Sequence, residues 1–585
     1  MSCNCKTITL SDSKESPSVE SGEYPFDLGA FGRKITTSSP ASQVWFNRGL
    51  TWVYAFNHME GVKCFQRAIA YDPKCAMAYW GIAYALGPNY NHPWNLFDEG
   101  NLAATLPATY EAAQTSKSLA AFATPVEQAL INAISVRFQT KQVVPVSELV
   151  AHSREYMRVM EGVYRDFGDD RDVVTLYADS MMSLTPWGLY DVATGQPTKG
   201  AFTLESKDVL ERGLQLEDAM KHPGLLHLYI HLSEMSPNPE RALSAAEHLR
   251  DLVPDAGHTH HMPTHLDVLV GDYRRAISSN IHATLADEKY LAVEGPNNFY
   301  SLYRLHNYHS LIYAAMHAGK KQIALETADR MERTIPAEVL RSKSPNLADW
   351  LEGFVAVRLH VMVRFGMWCG IIAMPLPEDQ ELYCVTTATI HYAKGVAYAA
   401  TNRVAEAEQE RKLYVAAIER VPITRRTHPN RSVDILNVGV AMLDGEIEYR
   451  RGEHEKAFQT LRKAIELDDG LNYSEPWGWM QPVRHAFAAL SLEQGDVEAA
   501  AEAYKADLGL NYTLGRAHHH PNNVWALQGY YECLVRLGRD DEARLLEPQV
   551  KVALAVADIP VNSSCFCRLD TSESPDVCVQ TSCCR

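Results

Sequence analysis

Residues 42–75 read SQVWFNRGLTWVYAFNHMEGVKCFQRAIAYDPKC. Bulky side chains stand at Trp45, Trp52 and Phe65, small ones at Gly49, Gly61 and Ala68, and Pro73 closes the segment. Spacings of three, four and seven put these residues on one face of each of two helices. Small residues let the helices approach closely, and the aromatic rings fill the seam between them. Proline cannot continue a helix, so Pro73 ends the unit. The stretch predicts a helix–turn–helix repeat that cannot bury its apolar face alone and must stack on neighbours.

Residues 221–265, KHPGLLHLYIHLSEMSPNPERALSAAEHLRDLVPDAGHTHHMPTH, carry the repeat distance. His227 and His231 are four apart, as are His261 and His265, and 261 − 227 = 265 − 231 = 34. That is the period of a tetratricopeptide repeat. Weaker units follow the same register. Ala242, Leu249 and Pro254 mark one, Ala276 the next (242 + 34), and Ala324 another. Gly395, Tyr398 and Ala407 fit a further unit, as do Gly445, Ala457, Leu461 and Ala464. No alternating strand pattern competes. The prediction is an all-α tetratricopeptide-repeat superhelix, an α-solenoid. Its divisions are a disordered tail at 1–40, repeat units at 41–125 and a helical insertion region at 126–220. His-rich units at 221–335, further units at 336–550 and a disordered Cys-rich tail at 551–585 complete it.

A chain of 585 residues exceeds one hydrophobic core and suits an array. The net charge of −17 argues against nucleic acid or an anionic membrane as partner. No apolar run reaches the ~18–20 residues of a membrane span. The N-terminus lacks the apolar segment of a secretory signal, so the expected compartment is the cytoplasm. Seven of the twelve cysteines lie in the tails, including Cys565 and Cys567, and their C-x-C spacing suits soft metals. Without a secretory signal, a disulfide framework is not expected.

From Trp45 to about residue 548 the chain resembles a large, poorly characterised family of tetratricopeptide repeat proteins in bacteria and fungi. The segments that carry the likeness are AFNHMEGVKCFQRAIAYDPKCAMAYWGIAYALGPNYN, HPGLLHLYIHLSEMSPNPERAL, DAGHTHHMPTHLDVLVGDYRRAI, RLHNYHSLIYAAMHAGK, RFGMW and PVRHAF. The resemblance implies the helical-repeat fold and no firmly assigned reaction. It also implies that repeat positions 2, 5, 9 and 12 of each first helix face a concave groove. His227, His231 and Glu234 then fall at 5, 9 and 12 of one unit. His258, His261 and His265 fall at 2, 5 and 9 of the next, and His306 and His309 at 2 and 5 of a third.

Seven imidazoles and one carboxylate in one groove resemble the way helix bundles gather metal ligands. Neutral imidazole binds copper, iron, zinc and nickel, and a set with little carboxylate favours copper, with iron or zinc as alternatives. A structural zinc site closes at four ligands, so the surplus predicts two metals or additional second-layer histidines. A lone histidine on a helix is ordinarily a satisfied polar residue, and His152, His248, His360 and His454 are read so. His391 is assigned to core packing, and His518, His519 and His520 to an exposed loop. His58 opens a second helix and is either a plain helix-start residue or a second-layer group of the site, and His485 is a possible further groove residue. Tyr229, Tyr303 and Tyr308 flank the cluster. No nucleophile elbow, phosphate-cradling loop or dinucleotide fingerprint is present.

Two functions follow. The first is a metal-dependent, copper-favouring oxidoreductase acting on a small organic substrate with dioxygen. The second is a non-catalytic scaffold that binds a peptide or protein in the same groove, as most such arrays do.

Overall fold

The computed structural model describes residues 24–569, which form a helical-repeat protein. They divide into two compact units. The first runs to Asp191 and adds Gln196–Pro263 and Leu285–Glu294. The second comprises Val192–Gly195, Thr264–Thr284 and the chain from Gly295 onward.

In the first unit, consecutive helices pair antiparallel. Pro40–Tyr54 packs on His58–Tyr71, then Ala76–Leu86 on Glu99–Leu119 and Pro125–Arg137 on Val146–Phe167. Local chemistry sets the ends of the first pair. The Ser39 hydroxyl accepts from Ser42 N–H with Pro40 at the first turn, and the Asn57 side chain accepts from Glu60 N–H. Phe65, fully buried, explains the small residues read from the sequence. A Cβ on Gly49 would lie 2.6 Å from its ring, and one on Gly81, in the following helix, 2.7 Å. The ring thus sits between three helices, and only hydrogen at both positions leaves it room.

The second unit repeats the device. Ser432–Arg450 packs on His454–Asp469, with Ala457, Leu461 and Ala464 fully buried. A Cβ on Gly445 would meet Leu461 at 2.7 Å. Gly452, with φ +81°, makes the turn between this pair. Cys384–Ala400 with Val404–Ile418, Val483–Glu493 with Val497–Asp507, and Val524–Arg536 with Asp540–Val556 continue the pattern.

Three expectations need correction. Residues 24–39 are not a disordered tail. Phe26, Leu28 and Ile35 are buried, and the Tyr24 hydroxyl accepts from Trp52 Nε1 at 2.7 Å. The polar composition of the segment hid these few apolar anchors. Residues 559–569 likewise pack against the second unit, with Cys567 fully buried, and Cys565 and Cys567 form a disulfide. The first helix of the unit starting at Gly257 is not continuous. It splits into Gly257–His261 and Pro263–Leu269, because Pro263 cannot donate to the ladder. Cys3, Cys5, Cys578, Cys583 and Cys584 lie outside the described residues.

The N-terminal strap is held by ions. Arg33 Nη1 donates to Asp170 at 2.7 Å and to Asp172 at 2.8 Å, and the Arg33 side chain is only 8% exposed. Burial disfavours the Asp172 carboxylate, but Arg33 and His222 outweigh this and hold its pKa well below the usual carboxylate range. A depressed carboxyl pKa contributes stability above the unfolded value and loses it as pH falls through the folded one. Arg33→Met should therefore cost about 3–5 kcal/mol at neutral pH, since it leaves buried carboxylates uncompensated. Urea midpoints at neutral and acidic pH would check this, and the gap between variant and wild type should narrow as acid protonates the carboxylates.

Candidate metal centre

The site in the first unit is built on Pro223–Glu234, a helix whose twelve residues are all buried. Pro223 sits in its first turn, and His222 Nδ1 caps it by accepting from Leu225 N–H at 3.0 Å. His222 Nε2 faces Asp172 at 3.2 Å, so the strap that holds Asp172 also positions this helix start. Gly224 lets the helix press on the end of Pro40–Tyr54, where a Cβ would lie 2.6 Å from the Tyr54 ring. This close approach brings the Tyr54 carbonyl onto His227.

His227 and His231 project from one helix face, a turn apart. His227 Nδ1 donates to the Tyr54 carbonyl at 2.6 Å. His231 Nδ1 lies 2.9 Å from Glu234 Oε1, both fully buried. Each contact puts the proton on Nδ1 and the lone pair on Nε2. This is the tautomer that carboxylates and carbonyls impose on metal-bound histidines. His258, from Gly257–His261, completes the group, and the ligand nitrogens of His227, His231 and His258 all lie within 4.8 Å of one another. The His261 ring stands 5.7 Å from that of His258.

An aromatic wall closes the cluster. The Phe56 ring lies 4.3 Å from His227, 5.4 Å from His258 and 5.7 Å from His231. His58 also stacks on Phe56, at 5.7 Å. Tyr90 and Trp187 lie 4.9 and 6.3 Å from His231. Phe56 and Trp187 have φ of +57° and +59°, left-handed backbone that costs a non-glycine residue roughly 1–2 kcal/mol. Two strained aromatics on one histidine mark a spot whose geometry the surrounding fold enforces.

Burial keeps His227, His231 and His58 neutral. It pushes His227 well below 6.5, with His231 and His261 adding to the effect, and lowers His231 to about 3. His58 also falls to about 3 through burial, then His92 and His227. Neutral rings with fixed tautomers are competent metal donors.

The other candidate groove histidines, His265, His306, His309 and His485, lie in the second unit, as does His391. The rings of His265 and His306 are 5.9 Å apart. His309 is buried edge-on to Phe354 at 5.3 Å, and burial, then His360, lowers it to about 3. His485 is buried and engages Asp507 through Nε2 at 2.9 Å. His391 is buried and bonded to Glu410 at 2.7 Å.

The run His518–His520 is a correction, because all three are buried rather than exposed. His520 Nδ1 donates to the other oxygen of Asp507 at 2.8 Å, and its ring stacks on His317 at 5.2 Å. Burial opposes the Asp507 carboxylate, but His485 and His520 hold it well below the carboxylate range. Asp507 and His317 were not visible as partners in sequence. The one available cue was Asn523 after the histidine run, which caps the next helix by accepting from Ala526 N–H.

No family model matches this chain, and no curated protein matches it. Similar solved structures include a Rap protein complexed with competence and sporulation factor, 13% identical with a TM-score of 0.30, covering 70% of this chain and 98% of that one. Another is Naa15/Naa10 bound to HypK-THB, 14% identical with a TM-score of 0.20, covering 88% of this chain and 70% of that one. The fold assignment rests on the helix pairing and the 34-residue register, not on these likenesses.

The pH dependence of stability follows from the buried rings. A histidine held neutral on folding adds no penalty above its unfolded pKa. Below that value the unfolded chain takes up a proton that the native site refuses. For His231 the window runs from 6.5 down to about 3. The urea midpoint should fall steadily through that window, and His231→Gln should make the fall shallower.

Proposed function

We propose that this chain is a metalloprotein whose first unit binds one transition-metal ion through His227, His231 and His258. The observation that carries the reading is the convergence of three imidazole donors, two with tautomers set by the Tyr54 carbonyl and the Glu234 carboxylate. Glu234 serves His231 rather than the metal, and His261 stands next in line as a further donor. Three nitrogen ligands leave a coordination position open, as in catalytic rather than structural sites. An all-imidazole set favours copper, with zinc and iron as alternatives.

When bound, copper would supply dioxygen-dependent oxidation of a small organic substrate, and zinc would supply an activated water for hydrolysis. The chain's own part is to hold the donors unprotonated, to fix their orientation and, through Phe56, Tyr90 and Trp187, to keep bulk water from the imidazoles. The second reading, a scaffold for a peptide or protein partner, is supported by the successive helix pairs between Cys384 and Val556. Stacked repeats of this kind build extended surfaces for partners. Among the described residues no helix is long and apolar enough to cross a membrane.

Elemental analysis of the purified protein beside His227→Ala/His231→Ala is the test. The proposal expects one equivalent of copper, zinc or iron in the wild type, lost in the variant. Equal metal content in both, after reconstitution with each ion, would remove the metal reading and leave the scaffold. Glu234→Gln should lower metal affinity by about 10–100-fold while leaving the stoichiometry intact.

A further inference from the structure

A different set of donors lies in the second unit, in the C-terminal segment that the sequence placed in a tail. Residues 559–569 return over the helices Ser432–Arg450 and Val483–Glu493 as a fastened strap. The Ser564 hydroxyl donates to the His485 carbonyl at 2.7 Å and contacts the Tyr504 hydroxyl at 2.5 Å. Arg364 Nη1 donates to the Ser564 carbonyl at 2.9 Å. Arg568 forks onto both oxygens of Glu532 at 2.8 and 2.9 Å. Between these fastenings lie Cys565 and Cys567.

The two sulfurs face Glu446, whose side chain sits inside the protein with 1% exposure. The carboxylate oxygen and both sulfurs lie within 4.8 Å of one another. Glu446 Oε2 has no hydrogen-bond partner among the described residues. An unpaired buried carboxylate oxygen is costly and calls for an explanation. The Cys567 amide donates to Cys565 Sγ at 3.2 Å, and the Arg450 guanidinium donates to the Cys567 carbonyl while pairing with Glu493.

We propose that Cys565, Cys567 and Glu446 form a second metal site, for one borderline or soft divalent ion such as Zn(II) or Cd(II), that opens only when the Cys565–Cys567 disulfide is reduced. A dithiol reductant supplies the two electrons and two protons. The S–S bond breaks, two thiols form, and the reductant leaves as its own disulfide. The metal then displaces two protons as two sulfur–metal bonds form, and the Glu446 oxygen becomes the third protein ligand. Two thiolates on a tetrahedral ion stand about 3.8 Å apart, from sulfur–metal bonds near 2.3 Å. A C-x-C pair spans that gap with side-chain rotation alone, so the fastened backbone need not move. In the oxidised state the sulfur lone pairs are poor donors, and the site is closed.

The test uses the full-length protein and Cd(II) alone, followed by the thiolate-to-cadmium charge-transfer absorption, which the histidine cluster does not produce. Reduced wild type should take up one more thiolate-bound equivalent than reduced Cys565→Ser/Cys567→Ser, and oxidised wild type should lack that equivalent. Glu446→Gln should weaken it at least about tenfold. Identical spectra for reduced wild type and the double serine variant, or an unchanged affinity in Glu446→Gln, would overturn the proposal. A measurement on wild type alone guards against misfolded variants. Cadmium should protect Cys565 and Cys567 from alkylation, mapped by mass spectrometry, and rapid labelling of both with cadmium bound would overturn it.

Discussion

The first unit depends on one short contact, the 2.6 Å hydrogen bond from His227 Nδ1 to the Tyr54 carbonyl. That carbonyl belongs to the last turn of Pro40–Tyr54, where the helix has run out of N–H donors of its own. The helix end and the imidazole satisfy one another, and the ring is left with its lone pair on Nε2. Gly224 permits the approach by offering no side chain to the Tyr54 ring. Asp172 then locks the arrangement, because it accepts from the Tyr54 hydroxyl at 2.7 Å and also faces His222 at the helix start. A structural repeat and a donor set are thus the same piece of packing.

The energetic logic is that of a polar cluster carried into an apolar interior. A buried imidazole with both nitrogens idle would cost on the order of 1–3 kcal/mol per unpaired group. Pairing Nδ1 removes half of that for His227 and His231. The remaining Nε2 of His227 is buried without a hydrogen-bond partner among the described residues. A metal ion bound there would supply the missing interaction and stabilise the fold by mass action, since the unfolded chain holds no such convergence.

Much of the fold was legible because its chemistry is local. Gly49, Gly61 and Phe65 announce a tight helix pair in any register, and the structure shows the Phe65 ring pressed on Gly49 while Gly61 meets Val53. The pairing of His227 with His231 was legible for the same reason, as four residues make one helical turn. What escaped the sequence is non-local. Nothing within residues 24–39 reveals that Arg33 meets Asp170 and Asp172, more than a hundred residues on. His520 is buried against Asp507, His518 on Trp477 and His519 against the Leu514 carbonyl, and a triple-histidine run beside proline reads as a loop until those partners are placed. Pro263 was visible, yet the 34-residue register masked its effect on the helix it interrupts.

The central claim is that His227, His231 and His258 bind metal through imidazole nitrogen. X-ray absorption at the metal edge, on protein loaded with one equivalent and with its cysteines blocked by alkylation, tests it most directly. The account predicts a first shell of about three nitrogens near 2.0–2.1 Å, with the outer scattering of imidazole rings, and loss of that scattering in His227→Ala/His231→Ala. A first shell of oxygens alone, or an imidazole signal that survives in the variant, would contradict it.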